Sequence, residues 1–478
     1  MRAISVLQSF PLMNNPRRSA AVILHRDTGR GLEVYLVERS AKLRHWGGQW
    51  AFPGGVVELE DAQVSVVGGG DLAGADSALL ACAARELREE VGVCVTPDAS
   101  KFRWAVRFVT PHFSTARYDT TFFLVEPCEE PRVVDAELTR GLWRLPREAL
   151  DDWRLGRVQI VPPVLDILDL LGTHGVEETC RRLRSEPPEF ELSTRSIRLA
   201  PGYEVVPVES PPLPVEIPVN VFLVGWGRFV LVDPAPRQVR EREQIFSAVD
   251  RRRARGDELV AIVLTHHHPD HVGALEEAAS RYKAPVWAHA ITGKLLGRKL
   301  DRALADGDEM DLGLAPDGQD GWRLRVLFTP GHAEGHIALL DERYSSLIAG
   351  DLVSTLVSMY VGSPGGNLRE YFASLERVRA LSIANLYPSH GAPSRDPRKL
   401  IDYTLEHRRA RVEEVLGLLA SEPQEARNLA LRIYPDGGDK LRPLFVRSTR
   451  AALERLVEDG RAERCGVDSF RLLGDGAP

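Results

Sequence analysis

The sequence predicts a multidomain α/β protein. Three observations carry that prediction. The chain has 478 residues, which at about 150 per domain suggests roughly three domains. Short apolar strands alternate with helical patterns in two successive blocks. Between the blocks lies a proline-rich polar stretch, 186–218, with the runs SEPPEF and ESPPLPVEIP. Apolar residues make up 44% and charged residues 27%, the balance of a soluble globular chain. No segment has the apolar length of a membrane span or a signal h-region, so the expected compartment is the cytoplasm, with no membrane partner. Five cysteines, odd in number and without CxxC spacing, argue against a disulfide framework or a cysteine metal site. A net charge of -7 disfavours a general nucleic-acid or membrane-surface role and leaves a local basic channel open.

Taken in order, alternating stretches at 19–25 and 33–39 flank the turn 26–31 and read as a β-hairpin. A helix with a Glu-rich face is expected at 78–91, ended by Gly92. Strands follow at 104–109 and 120–125, and this first unit closes near Leu171. In the second block, strands at 221–224, 229–232 and 259–264 lead a series that runs to about Gly391. Beyond about Arg398, helical patterns at 412–420, 426–433 and 446–458 precede a short hairpin around Gly466. The expected divisions are 16–172, a linker at 173–200, 201–395 and 400–478.

The densest chemistry lies in THHHPDHVG, residues 265–273, directly after the apolar run 259–264. A strand, a compact polar loop and a helix beginning at Gly273 would place these side chains at the carboxyl end of a sheet, where α/β proteins bind ligands. His266 and His268 alternate by two, and Asp270 and His271 lie further round the loop. Imidazole and carboxylate are the borderline ligands that zinc takes. Further candidate ligands come later in the chain, each after a short apolar run: His332 in TPGHAEGH, Asp351 in AGD and His390 in YPSHG. His336 would orient the His332 loop, contact substrate or simply pack; His289 has no assigned role.

These residues resemble the metallo-β-lactamase fold family, whose HxHxDH motif is matched by His266, His268, Asp270 and His271. The resemblance covers about residues 200–395 and includes Asp233 in VDPA. It implies an αββα sandwich with a two-metal site. One zinc or other transition metal would be held by His266, His268 and His332, the other by Asp270, His271 and His390, with Asp351 bridging. His267 falls on the variable position. Two such cations lower the pKa of a shared water and clamp attacking and leaving oxygens, chemistry suited to an ester, thioester, lactam or phosphodiester. Asp270 is the candidate catalytic residue of this site.

The second constellation is RELREEVGV, residues 85–93. Glu86, Glu89 and Glu90 share one helical face, and clustered carboxylates repel one another unless a cation is present. Oxygen ligands of this kind suit magnesium or manganese. Arg85 would orient the carboxylates. With the upstream SAKLRHWGGQWAFPGGVVELED, residues 40–61, this region resembles the Nudix hydrolases over about residues 16–172, and more narrowly their coenzyme A diphosphatase branch. The match runs through Arg39, Ser40, Leu43, Arg44, Gly48 and the Phe52–Gly55 turn, with Glu58 where Asp is usual and Asp61 at the position of the general Nudix box Glu. It departs in a longer spacer, 62–84, holding GGGDLAGAD. The resemblance implies a Nudix α/β/α sandwich that cleaves a pyrophosphate bond, with Glu86 and Glu89 catalytic and Glu86, Glu89 and Glu90 binding metal. Glu58 would assist. Glu137 is an extra ligand or base, or a solvated loop residue. Arg39 and Arg44 would hold substrate phosphates, or Arg44 would brace the Gly-rich turn.

Residues from about 400 onward resemble the small winged-helix extension behind some metallo-β-lactamase proteins. Acidic and basic residues nearly balance there, which favours packing or substrate-entry support over DNA reading. The combined expectation is a bifunctional metal-dependent hydrolase acting on small molecules such as a nucleoside diphosphate derivative, coenzyme A or an acyl-thioester. The alternative is an endoribonuclease of the metallo-β-lactamase type, with RNA as partner and the Nudix region as a binding or sensing module.

Overall fold

The computed structural model describes residues 15–43, 46–68, 76–111, 114, 116–185, 196–210, 218–435 and 438–473. The chain forms two compact units whose division falls inside the strand Tyr203–Glu209.

In the first unit, β1 (Arg17–Thr28) and β2 (Gly31–Arg39) form the expected hairpin, with Thr28 opposite Gly31. β3 (Gln49–Ala51) pairs with β2, and β4 (Gly54–Val56) with β1. Helix α1 spans Ser77–Val91. Asp76 starts it by accepting from Leu79 N, and Gly92 ends it in the left-handed region at φ 69, where a Cβ would be strained. Leu80, Ala83, Leu87 and Val91, spaced by three and four, are buried against Val22, Leu24 and Phe123 of the sheet. That burial turns the remaining face, with Glu86 and Glu89, toward the β4 turn. β5 (Arg103–Val109) and β6 (Tyr118–Val125) complete the side of the sheet where β6 runs parallel to β1, and β7 (Leu138–Arg144) pairs with β2. Helix α2 (Pro146–Arg154) and helix α3 (Pro162–Ser185) follow; α3 runs past 172 and breaks its helical geometry at Gly175, φ 70.

The second unit holds two large sheets and, near its C-terminal end, a small three-stranded one. One large sheet contains, in this order, Arg302–Leu304, Val286–His289, Glu258–Leu264, Arg228–Val232 and Pro218–Trp226, with parallel pairing through the first four and an antiparallel hairpin between the last two named. The other is ordered Glu309–Gly313, Trp322–Phe328, Ile337–Asp341, Ser346–Gly350, Asn385–Pro388, antiparallel except for its last pair. Alternate residues explain the layering. Val221, Leu223, Leu231, Ile262 and Leu264 bury against helices Val239–Ala254 and Leu275–Tyr282, while Ala338, Leu340 and Leu347 pack with helices Leu368–Arg379 and Pro397–Leu418. The opposite alternation, Phe222, Val230, Val263, Val326 and Ile348, is buried too, and Phe222 reaches Tyr387 of the other sheet at 6.1 Å. Sheet on sheet with helices outside is the expected αββα order.

Local departures have visible causes. The helix expected from Gly273 is instead a single turn, Pro269–Val272, followed by Leu275–Tyr282. Pro269 at its first position, which needs no N–H donor, starts the turn early. Gly273 is reserved for close approach: a Cβ there would lie 2.3 Å from the Ala235 carbonyl oxygen. In the C-terminal region the helices are Pro397–Leu418, Ala426–Ile433 and Gly438–Glu458, with a three-stranded sheet that includes Ala462–Arg464 and Ser469–Leu472. The first and last are longer than the pattern suggests, and Pro443 sits inside the last. Among the described residues, no helix is long and apolar enough to cross a membrane.

Candidate functional site

The buried run of strand Glu258–Leu264 delivers Thr265 and His266 to the sheet edge. Thr265 is locked there by Asp233, which accepts from its amide at 2.7 Å and from its hydroxyl at 2.6 Å. Asp233 itself has φ 52, a strained conformation that this pair of hydrogen bonds holds. The turn Pro269–Val272 then carries Asp270 and His271 back toward His266.

All seven expected residues converge. His266, His268, His332 and Asp351 present ligand atoms within 4.8 Å of one another, as do Asp270, His271 and His390. Within the first group, His268 Nδ1 lies 3.0 Å from His266 Nε2 and 2.9 Å from His332 Nε2. Asp351 faces both groups. Its Oδ2 is 3.3 Å from His332 Nε2, and its Oδ1 is 3.4 Å from His390 Nε2 and 3.5 Å from His271 Nε2. Asp270 Oδ2 stands 3.7 Å from His390 and 3.8 Å from His271.

The outer nitrogens are already anchored. Nδ1 of His266 meets Thr265 Oγ1 at 3.0 Å, that of His271 meets Asp233 at 3.0 Å, that of His332 meets the Tyr360 carbonyl at 2.6 Å and that of His390 meets the Pro218 carbonyl at 3.0 Å. Such contacts fix tautomer and ring direction, leaving one nitrogen of each ring turned inward. Two inward atoms, His271 Nε2 and Asp351 Oδ1, are buried without a hydrogen-bond partner. Buried polar atoms of this kind are normally satisfied, so a nitrogen-and-oxygen donor set with orphaned members fits divalent transition metals.

Electrostatics agrees with that fit. Burial, reinforced by neighbouring imidazoles, holds His266 well below the usual histidine range and His268 at about 2; burial takes His332 to about 4. These three are neutral, as ligands must be. Burial opposes charge on His271 and His390 as well, yet Asp351 and Asp270 raise both. Those protons stand where a cation would replace them.

In the first unit, Arg85 is the hub. It forms a fork with Asp61, at 3.0 and 3.1 Å, reaches Glu86 at 2.8 Å and Glu89 at 3.0 Å, and donates to the Val56 carbonyl at 3.0 Å. The Asp61 pairing closes across the long spacer. Glu90 accepts from the Gly54 amide at 2.7 Å. Gly55 is needed for close approach, since a Cβ there would lie 2.1 Å from Glu86 Oε1. Burial pushes Glu86 up despite Arg85, and pushes Glu90 up to about 8 despite the Gly54 amide. An oxygen-only set, buried at Glu90, half-buried at Glu86 and exposed at Glu89, suits a hard divalent cation. Their oxygens are parted, however: among the described residues they do not form a converged group like those around Asp351.

Residues 15–162 match the family model of the NUDIX domain, and residues 215–390 match that of the metallo-beta-lactamase superfamily. The chain joins a Nudix hydrolase domain to a metallo-β-lactamase domain. Both are families of metal-dependent hydrolases. Among relatives, the chain is similar to a beta-lactamase-like protein 2 homolog of Caenorhabditis elegans, 25% identical over 53% of this chain and 84% of that one. It is also similar to a hydroxyacylglutathione hydrolase of Bdellovibrio bacteriovorus, 28% identical over 47% of this chain and 81% of that one. A solved Nudix hydrolase from Alicyclobacillus acidocaldarius is 27% identical, with 36% of this chain and 97% of that one covered and a TM-score of 0.32.

Other candidates divide. In the metallo-β-lactamase domain, His267 is half-buried and joins none of the ligand groups. His289 caps helix Ala290–Leu296 by accepting from Ile291 N at 3.3 Å and stacks on Phe328 at 4.4 Å. His336, whose role the sequence left open, is fully buried and accepts the Asp351 amide at 3.0 Å. In the Nudix domain, Glu58 and Glu137 are exposed, and Arg39 has a buried Nε without a partner. Arg44 lies outside the described residues. Sequence reasoning missed Thr265, Tyr360 and Pro218 as ligand anchors, because two of them act through backbone carbonyls, which no residue pattern reports.

Proposed function

We propose that the chain is a bifunctional hydrolase: the Nudix domain cleaves a pyrophosphate bond in coenzyme A or a nucleoside diphosphate derivative, and the metallo-β-lactamase domain hydrolyses a thioester or ester with two zinc ions. The observation that carries the second reading is Asp351, whose two carboxylate oxygens face different ligand groups. His266, His268 and His332 would hold one ion, Asp270, His271 and His390 the other, and Asp351 would bridge them. Bound together, such ions supply an activated water and charge stabilisation for the attacked carbonyl. Asp270, at the edge of the second group, would take the proton of the attacking water, and the outer hydrogen bonds of His266, His271, His332 and His390 hold their other ring nitrogens turned inward. The name of the hydroxyacylglutathione hydrolase relative, which is that of an enzyme cleaving an acylated thiol compound, supports the thioester class.

In the Nudix domain, Glu86, Glu89 and Glu90 would hold magnesium or manganese, which supplies pyrophosphate binding and water activation. Arg85 keeps Glu86 and Glu89 in place. The unpartnered Nε of Arg39 supports its role in holding a substrate phosphate. For the C-terminal region, from about 400, we favour a winged-helix-like module that packs beside the metallo-β-lactamase site rather than reading DNA.

The deciding experiment is a substrate panel of coenzyme A, nucleoside diphosphate derivatives, acyl-thioesters, lactams and short RNA, run on wild type, Glu89→Gln and His268→Ala. Expected is pyrophosphate cleavage lost only in Glu89→Gln and thiol release lost only in His268→Ala. Single-strand RNA cleavage abolished by His268→Ala, with acyl-thioesters untouched, would replace the thioesterase reading by a ribonuclease one.

A further inference from the structure

The segment Gly350–Leu352 is tied down at four polar groups of its backbone. The Gly350 carbonyl accepts from the Ser389 amide at 3.0 Å, one residue before His390. The Asp351 amide donates to His336 Nε2 at 3.0 Å. The Leu352 carbonyl accepts from the Tyr371 hydroxyl at 2.7 Å, and the Leu352 amide donates to the Ala349 carbonyl at 3.1 Å. Two of these partners are side chains, and both are fully buried.

His336 is itself fixed. Its Nδ1 faces the Thr329 carbonyl at 3.1 Å and the Thr329 hydroxyl at 2.8 Å, so Nδ1 carries the proton and Nε2 is left to accept the Asp351 amide. Gly350 makes room for it: φ is +54, and a Cβ would lie 2.5 Å from His336 Nε2. Tyr371 is braced as tightly. It packs against Gly331, where a Cβ would come within 2.2 Å of the Tyr371 amide nitrogen, and Gly331 precedes the ligand candidate His332. The Asn367 amide donates to the Gly331 carbonyl at 2.8 Å, and Asn367 caps the helix carrying Tyr371.

We propose that His336 and Tyr371 are positioning residues for Asp351, gripping its own amide on one side and the carbonyl of the residue after it on the other, so that each carboxylate oxygen stays turned to its own ligand group. The inference rests on the dinuclear reading given above. Asp351 reaches its neighbours through a side chain of two rotatable bonds, so a small shift of its backbone moves both oxygens at once. Metal–ligand distances tolerate only about 0.2 Å. Neither residue touches the reacting atoms; the hydrogen bonds that carry the effect run to the Asp351 amide and the Leu352 carbonyl.

The test uses the full chain, zinc alone as probe, and competition with a chromophoric chelator. Wild type is expected to hold two equivalents; fewer would count against the dinuclear reading. The positioning proposal is read separately, from the ratio of variant to wild-type zinc affinity. Tyr371→Phe, which removes one hydroxyl, and His336→Leu, which removes the acceptor, are expected to release zinc about 10–100-fold more readily, the usual size of an outer-shell loss. His336→Gln, which restores an acceptor, should recover part of that loss. Wild-type zinc affinity in Tyr371→Phe overturns the proposal even if His336→Leu does not fold. So does a lower thermal midpoint of the chelator-treated variants with unchanged zinc affinity, because that pattern belongs to a role in folding alone.

Discussion

His267 sits between two imidazoles that turn into the candidate metal centre, while its own ring stays outside every ligand group, 4.9 Å from that of His268. Strand-like alternation explains the difference, since adjacent side chains leave an extended chain on opposite sides. His267→Ala is therefore expected to keep both metal equivalents, and His266→Ala or His268→Ala to lose at least one; metal analysis after dialysis measures this directly. At this scale the convergence of the seven candidate ligands was legible, because four of them fall within six consecutive positions and the others each follow an apolar strand. What holds those ligands was not legible. Thr265 and Asp233 act as side chains separated by 32 positions, and Tyr360 and Pro218 act through carbonyl oxygens. Tyr371 has no motif of its own, being one aromatic residue on a helix face that looks like ordinary core.

Helix α1 shows how an element sets the chemistry of its residues. Its apolar stripe must face the sheet, and that requirement places Glu90 at 7% exposure beside the Gly54 amide. Burial raises Glu90 to about 8, so the folded chain keeps a proton that the unfolded chain gives up near the ordinary glutamate range. The sign follows: this group favours the folded state fully below about 4.5 and progressively less as pH rises to about 8. In chelator-treated protein, denaturant midpoints of the Nudix domain are expected to fall across that window, by on the order of a few kcal/mol in stability, with Glu90→Gln flattening the slope. Added magnesium should flatten it too, by giving the carboxylate a partner. The helix and its glycine stop were legible in the sequence from spacing alone. The single turn at Pro269–Val272 was not, because a four-residue helix is too short to show a period.

On the scale of the whole molecule, two donor sets of different chemical hardness occupy separate units: oxygens alone in the Nudix domain, nitrogens with oxygens in the metallo-β-lactamase domain. Removing metal with a chelator is expected to abolish both activities. Adding back magnesium should restore pyrophosphate cleavage alone, and zinc thiol release alone, as separate assays of one sample would show. Restoration of both by one metal would mean that the donor sets do not discriminate as their chemistry implies. The long spacer of the Nudix domain is closed off at its base. Arg85 grips Asp61 on either side of it, Val67 pairs with Asp98, and Asp76 is joined to Arg18. Asp61 and Arg85 can therefore stay joined whatever the length of chain between them, because lengthening an already closed loop costs only about 0.6 kcal/mol per doubling. The carboxylate-bearing helix is thus anchored by short contacts of its own rather than by the run of chain that leads into it.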